Sequence, residues 1–409
     1  MATSPRRRAR RVFRYWRSEQ RTLRQGFVAL LVSTLAALIA GITTSSILDT
    51  LKLLPSLYIL LPAATGMRGT IFGAIGARFG TNSASGVFEI TWDRTGIVRQ
   101  NVFVGVVTTF ASSLWLAALA RFAAAVFGLN SISFLQFVTI SVVGGALGSA
   151  VILGMTVGLS VLSARRGYDL DTVSTPLVTA TGDMVTVPTL FLATFIARSP
   201  TANAVVAAIC IVVCLYATVR GALTDLPLAR RAILEMVGVI ALTPLLDILA
   251  GTVVEPHLQH FVRYPALIAI IAPLVSDLGA IGGILSSRLS SKLHLGVISP
   301  RGRPEGAAWL DGSLAVGFGL VAFTAVGTLG YAYSLVRGPS PGAGIMIGGT
   351  LLAGVIAIAI AVVFSYYVAI LSFRFGLDPD NQSVPIITSV MDLAGVVCFL
   401  FVLAIFGVT

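Results

Sequence analysis

Apolar stretches of about 20 residues or more, each long enough for a helix to cross a ~30 Å hydrocarbon core, recur along nearly the whole of this chain. They leave no room for a soluble domain of ordinary size. Composition agrees, with 56% hydrophobic and only 11% charged residues and a mean hydropathy of +0.93, where a globular domain carries about 25% charge. Turn residues and charges break the chain into eleven predicted spans, near 27–48, 54–78, 100–127, 134–163, 173–197, 200–219, 230–253, 264–287, 309–335, 343–372 and 383–408. The fold class read from this is an all-α polytopic membrane protein. The 41 glycines suit close approach of helices in lipid. Cys210, Cys214 and Cys398 fall inside apolar runs and read as buried fillers.

The chain also repeats itself, a property to be sought before any motif. At an offset of 209, Gly167, Asp169, Asp171, Ser174, Pro176, Thr179 and Asp183 fall on Gly376, Asp378, Asp380, Ser383, Pro385, Thr388 and Asp392. At 210, Pro55, Gly69, Gly73, Arg78 and Gly86 fall on Pro265, Gly279, Gly283, Arg288 and Gly296. Spans one to five and seven to eleven are therefore copies of a five-helix unit. The domain plan is a basic tail over 1–26, a first repeat over 27–197, a connector over 198–229 and a second repeat over 230–409.

Charge sets the expected orientation. With the N-terminus in the cytoplasm, 22 of the 28 basic residues lie on the inner side, and the outer side holds only Lys52, Arg198, Arg263 and Arg337. That is the positive-inside pattern. Basic residues match between repeats, Arg78 with Arg288 and Arg165 with Arg374, so both copies face the same way and span six restores the direction. The C-terminus is then outside, in a multi-pass protein of the cell membrane. Parallel repeats imply a pseudo-twofold axis along the membrane normal with a shared site near the midplane, complete within a monomer. The arginine-rich tail reads as a cytoplasmic, lipid-facing terminus rather than a nucleic-acid footprint.

Only 17 acids occur, so those at lipid depth are informative. Asp183 and Asp392 lie about eleven residues into their helices, roughly 17 Å from the inner face at 1.5 Å per residue. A charge there costs at least ~2.5–3.5 kcal/mol and persists mainly where it faces a bundle interior or a hydrated path. Thr175, Thr179, Asp183 and Thr186 share one helix face, and Thr388 with Asp392 repeats part of that stripe. Asp169, Asp171, Asp378 and Asp380 gather at the inner starts of spans five and eleven, where Asp171 and Asp380 are placed as helix N-caps and the four carboxylates as a cation-concentrating or cation-sensing set. Asp277 has Arg68, beside its counterpart Met67, as the expected ion-pair partner, with direct cation binding as the alternative. Asp247 and Asp311 lack acidic counterparts and rank lower. No other His or Cys completes a soft-metal set with His257, His260 or His294, and no nucleophile elbow or Ser-Lys pair stands out at depth. An enzyme is not expected.

The segment LDPDNQSVPIITSVMD, residues 377–392, resembles the element leading into the last helix of each repeat in the MgtE-type magnesium transporter family, and of its duplicated branch, solute carrier family 41. DLDTVSTPLVTATGD, residues 169–183, is a looser copy, and residues 55–81 with residues 265–294 resemble that family's second helix. The resemblance implies a helical pore, Mg²⁺ as the transported ion with no other cofactor, and Asp183 and Asp392 beside the ion path. It also implies a difference, because Gly69-Thr70 and Gly279-Ala280 stand where the family usually has Gly-Asn. No cytosolic sensing domains of the bacterial kind are expected within this chain.

Mg²⁺ keeps several of its six ligands as water, so two aspartates and neutral oxygens suit it, while Mn²⁺, Co²⁺ or Ni²⁺ fit the same oxygens. The metal set expected is Asp183, Asp392, Thr179, Thr388, Asp277, Asp169, Asp171, Asp378 and Asp380. Competing functions are a sodium- or proton-coupled divalent cation carrier and a non-transporting membrane sensor.

Overall fold

The computed structural model of the protein describes residues 5–54, 56–84, 91, 93, 96–166, 170–376 and 383–408. The described residues form helices and no strand: α1 (Pro5–Ser18), α2 (Gln20–Ser46), α3 (Leu48–Leu53), α4 (Leu57–Ala84), α5 (Ile97–Val126), α6 (Phe134–Arg166), α7 (Leu170–Ala197), α8 (Pro200–Ala222), α9 (Pro227–Val254), α10 (Leu258–Arg263), α11 (Pro265–His294), α12 (Gly306–Arg337), α13 (Thr350–Phe375, entered through a wider turn over Gly344–Gly349) and α14 (Val384–Ile405). Eleven of these are long and apolar enough to cross a membrane. The protein is thus an all-α polytopic membrane protein, with three short or surface helices, α1, α3 and α10, that apolar runs alone do not mark.

Local chemistry sets the breaks. Helix α13 stops at Gly376, whose φ of +63° places it in the left-handed cap conformation that glycine adopts without strain. Pro62, Pro244 and Pro273 sit inside α4, α9 and α11. Each removes one backbone donor, which membrane helices tolerate where neighbouring helices and hydroxyls re-satisfy the freed groups. In the turn after Pro62, Thr65 donates to the Leu61 and Pro62 carbonyls.

The packing exchanges helices between the two halves of the chain. Helix α2 lies on α11 as well as on α7, and α9 lies on α4 as well as on α14. Glycine permits both crossings. A Cβ on Gly41 would meet the Ala269 carbonyl oxygen at 1.9 Å, and one on Gly251 would meet the Ile59 backbone at 2.8 Å. Both the glycines and their contacts are 210 positions apart. The result is a centre made of α2, α4, α7, α9, α11 and α14, with α11 buried over 72% of its apolar window, while α8 is buried over only 28% and presents Val205, Ile209, Val212 and Val219 outward. That outward apolar face is the one lipid covers.

Candidate functional site

The site is built where the exchanged helices meet. Asp183 on α7 is partly buried and its Oδ2 accepts a hydrogen bond from Ser276 Oγ on α11 at 3.0 Å. One residue further along α11, Asp277 is fully buried, and its Oδ2 accepts from Thr34 Oγ1 on α2 at 2.7 Å, leaving Oδ1 without a partner. Asp183 and Asp277 lie within electrostatic reach of each other. Ser33 extends this polar seam, 3.5 Å from Ser276 across the α2–α11 contact.

Asp392 on α14 is partly buried and lies within electrostatic reach of Asp183 and of Asp247 on α9. Asp247 is fully buried, and neither of its oxygens has a hydrogen-bond partner within range, although Ser389 of α14 lies beside it. Gly66 on α4 makes room for it, since a Cβ there would fall 2.7 Å from Asp247 Oδ2. The carboxylates thus run as a string, Asp247, Asp392, Asp183, Asp277, drawn from four helices. Among the described residues, no lysine or arginine acts on any of them.

The two threonines of the sequence repeat occupy matching places. Thr179 sets its methyl 3.6 Å from where a Cβ on Gly69 would be, and Thr388 sets its methyl 2.9 Å from the same point on Gly279. The Thr388 hydroxyl turns back to the Val384 and Pro385 carbonyls, an arrangement that leaves its oxygen lone pairs free to accept. Thr186 is fully buried with an unpartnered hydroxyl oxygen.

Three expectations need correction or fall outside view. Arg68 and Asp277 do not pair, because α2 occupies the flank of α11 and takes Asp277 through Thr34, while Arg68 turns towards α5 and α6. Asp171 is not an N-cap, since α7 already begins at Leu170; its side chain is outside the described residues, as are Asp169, Asp378 and Asp380 entirely. Asp311 leaves the candidate set, being ion-paired to Arg288 at 3.1 Å and Lys292 at 2.5 Å. Conversely, Asp247, Thr34, Ser33 and Ser276 join the polar centre. Asp247 carried a signal, an acid in an apolar span, which its lack of a counterpart in the other repeat had discounted.

Among the described residues, no three of His, Cys, Asp or Glu converge closely enough to form a closed metal cage. The arrangement is an acidic field inside a membrane bundle rather than a finished coordination sphere.

A bundle of eleven apolar helices with acids gathered at the meeting of its two halves defines a polytopic membrane protein of the ion-transport class. The sequence profile of the MgtE family, described as a divalent cation transporter, matches residues 61–193 and again residues 271–402. The chain belongs to that family of divalent cation transporters. It is 24% identical to solute carrier family 41 member 3 of Rattus norvegicus over 431 residues, an alignment covering 91% of this chain and 86% of that protein. The crystal structure of the eukaryotic MATE transporter AtDTX14 superposes at a TM-score of 0.38 with 12% identity over 95% of this chain and 96% of that one, a likeness too slight to carry an argument.

Proposed function

We propose that the chain conducts divalent cations, Mg²⁺ foremost, across the membrane along a path between two parallel five-helix repeats (27–197 and 230–409), with Asp183 and Asp392 as the principal ion-facing groups. The observation that carries this reading is the uncompensated string of four carboxylates. Like charges gathered in a low-dielectric interior repel one another, and among the described residues no basic side chain acts on any of the four. A divalent cation balances them. Family membership supports the class of substrate, and the hard oxygen ligands favour a hard ion.

The spread of the carboxylates suits an ion that stays partly hydrated. Direct ligation by several carboxylates at once would bind tightly, whereas conduction requires release. Water therefore bridges the ion to at least one of Asp183 and Asp392, with Thr34, Thr179, Thr388, Ser276 and Asp277 offering further oxygens. Asp169, Asp171, Asp378 and Asp380 serve at the cytoplasmic mouth as a second cation-collecting set. The protein works as a monomer with its N-terminus in the cytoplasm.

Metal flux into proteoliposomes tests this. Asp183→Asn and Asp392→Asn are each expected to cut Mg²⁺ flux at least tenfold per folded molecule, and the double variant to abolish it. Normal flux in both single variants would overturn the assignment. Dependence of wild-type flux on a sodium or pH gradient would make the protein a coupled carrier, and absence of any divalent flux would make it a sensor.

A further inference from the structure

We propose that Arg68, with the hydroxyls of Ser113 and Ser149, forms a buried site for a small inorganic anion, chloride by size and abundance. The site is separate from the carboxylate string and its ligand has the opposite charge. Arg68 is 4% exposed and lies eleven residues into α4, about 17 Å along the helix at 1.5 Å per residue. That depth is beyond lipid headgroups.

Among the described residues the guanidinium has no counter-charge. Its Nη1 donates to the Ala64 carbonyl at 2.6 Å, its Nε has no partner, and no acidic side chain acts on it. Intramembrane arginines normally pair with a carboxylate or face water, and Arg68 has no carboxylate partner among the described residues. It borders a cavity of about 10 Å³ whose polar wall is Thr109, Ser112, Ser113 and Ser149. That is room for one particle near the size of a water molecule, too little for a phosphate or an organic anion.

The cavity is furnished with donors. Thr109 donates to Ser149 at 3.1 Å, which leaves the Ser149 proton available, and the Ser113 hydroxyl has no acceptor among the described residues. Ser112 is committed to the Thr109 carbonyl. Two glycines of α6 keep the pocket open. A Cβ on Gly145 would stand 2.5 Å from Ser113 Oγ and 3.0 Å from Arg68 Nη2, and one on Gly148 would stand 3.4 Å from Nε. A cation beside two free O–H donors, with no carboxylate near it among the described residues, selects an anion over a neutral water, because only the anion cancels the buried charge.

Equilibrium binding of radiolabelled chloride to the purified full-length protein, free of divalent metal, tests the site. Saturable uptake approaching one chloride per chain is expected. Replacing chloride by gluconate at equal ionic strength should lower the melting temperature by about 2 °C or more, since a ligand of the folded state stabilises it. Arg68→Gln should weaken chloride binding at least tenfold and remove the chloride–gluconate difference. Should Arg68→Gln fail to fold, Ser113→Ala decides, with a smaller loss in the same direction. No saturable binding, or binding unchanged in the variants, would overturn the proposal and make the occupant water.

Discussion

A carboxylate at lipid depth persists only when something compensates it, and here the compensation differs from residue to residue. Asp311 is compensated by charge, held by Arg288 and Lys292. Asp183 and Asp277 have one hydroxyl each. Asp247 has no hydrogen bond on either oxygen. Substitution by Asn should therefore act in opposite directions. Asp311→Asn strands two partly buried cations and is expected to destabilise the fold by on the order of 3 kcal/mol, read as a fall in melting temperature. Asp247→Asn removes an uncompensated charge, so its protein should melt at or above the wild-type temperature in divalent-free buffer while losing most Mg²⁺ flux, the trade expected of a functional group kept at a cost in stability. A clear loss of stability in Asp247→Asn would make that residue structural. Added Mg²⁺ should raise the wild-type melting temperature by mass action, and Asp183→Asn or Asp392→Asn should abolish the rise. How far these residues could be read from sequence depended on duplication. Asp183 and Asp392 stand out because each occurs in both copies, whereas Asp247 is single and its importance lies in a contact between α9 and α14 that no sequence spacing displays.

At the scale of the element, helices were legible and their neighbours were not. Runs of apolar residues bounded by glycine, proline and charge mark all eleven spans, because a helix must satisfy its backbone internally in lipid. Which helix lies on which is hidden, since lipid is as apolar as a helix interface and the usual polar–apolar stripe fades. The exchange of α2 onto α11 and α9 onto α4 rests instead on Gly41 and Gly251, where backbones touch. Gly41→Ala and Gly251→Ala are each expected to cost about 1–3 kcal/mol by overpacking, seen as lower melting temperature and reduced monodisperse yield. Gly158→Ala, where a Cβ meets nothing within 4 Å, should change neither. Helix α1 was legible only as a basic tail. In the fold its Tyr15 donates to Asp311 at 2.6 Å and receives from Arg288 at 2.9 Å, while Trp16 donates to Ser313 and lies over Gly317. Burial and the Asp311 hydrogen bond raise the Tyr15 phenol above its ordinary range. Tyr15→Phe should loosen α1 from the bundle without touching the carboxylate string, and faster proteolysis within residues 5–18 at unchanged Mg²⁺ flux is the expected result.

For the whole molecule, the arrangement in the membrane follows from combining contacts with charge. Tyr15 and Glu19 reach Arg288, which puts the N-terminal tail, the end of α11 and the start of α12 on one face. The opposite face gathers the other ends, where Arg198 donates to Thr50, Glu255 accepts from the Ser56 amide, and Ser56 donates to the Asn130 carbonyl. Eleven crossings then send the C-terminus to the face away from the tail. The tail face carries the basic excess, 22 of 28 residues, and the positive-inside tendency predicts that it faces the cytoplasm. Cysteine labelling can read this directly, because Cys210, Cys214 and Cys398 are all buried and contribute little background. In intact cells, a membrane-impermeant maleimide should label Ser340→Cys, in the α12–α13 connection, and should leave Arg303→Cys, in the α11–α12 connection, unlabelled until the cells are opened. The reverse pattern would invert the protein, move the basic tail outside and place Asp169, Asp171, Asp378 and Asp380 at the outer mouth, turning a cytoplasmic cation-sensing set into an external collecting one.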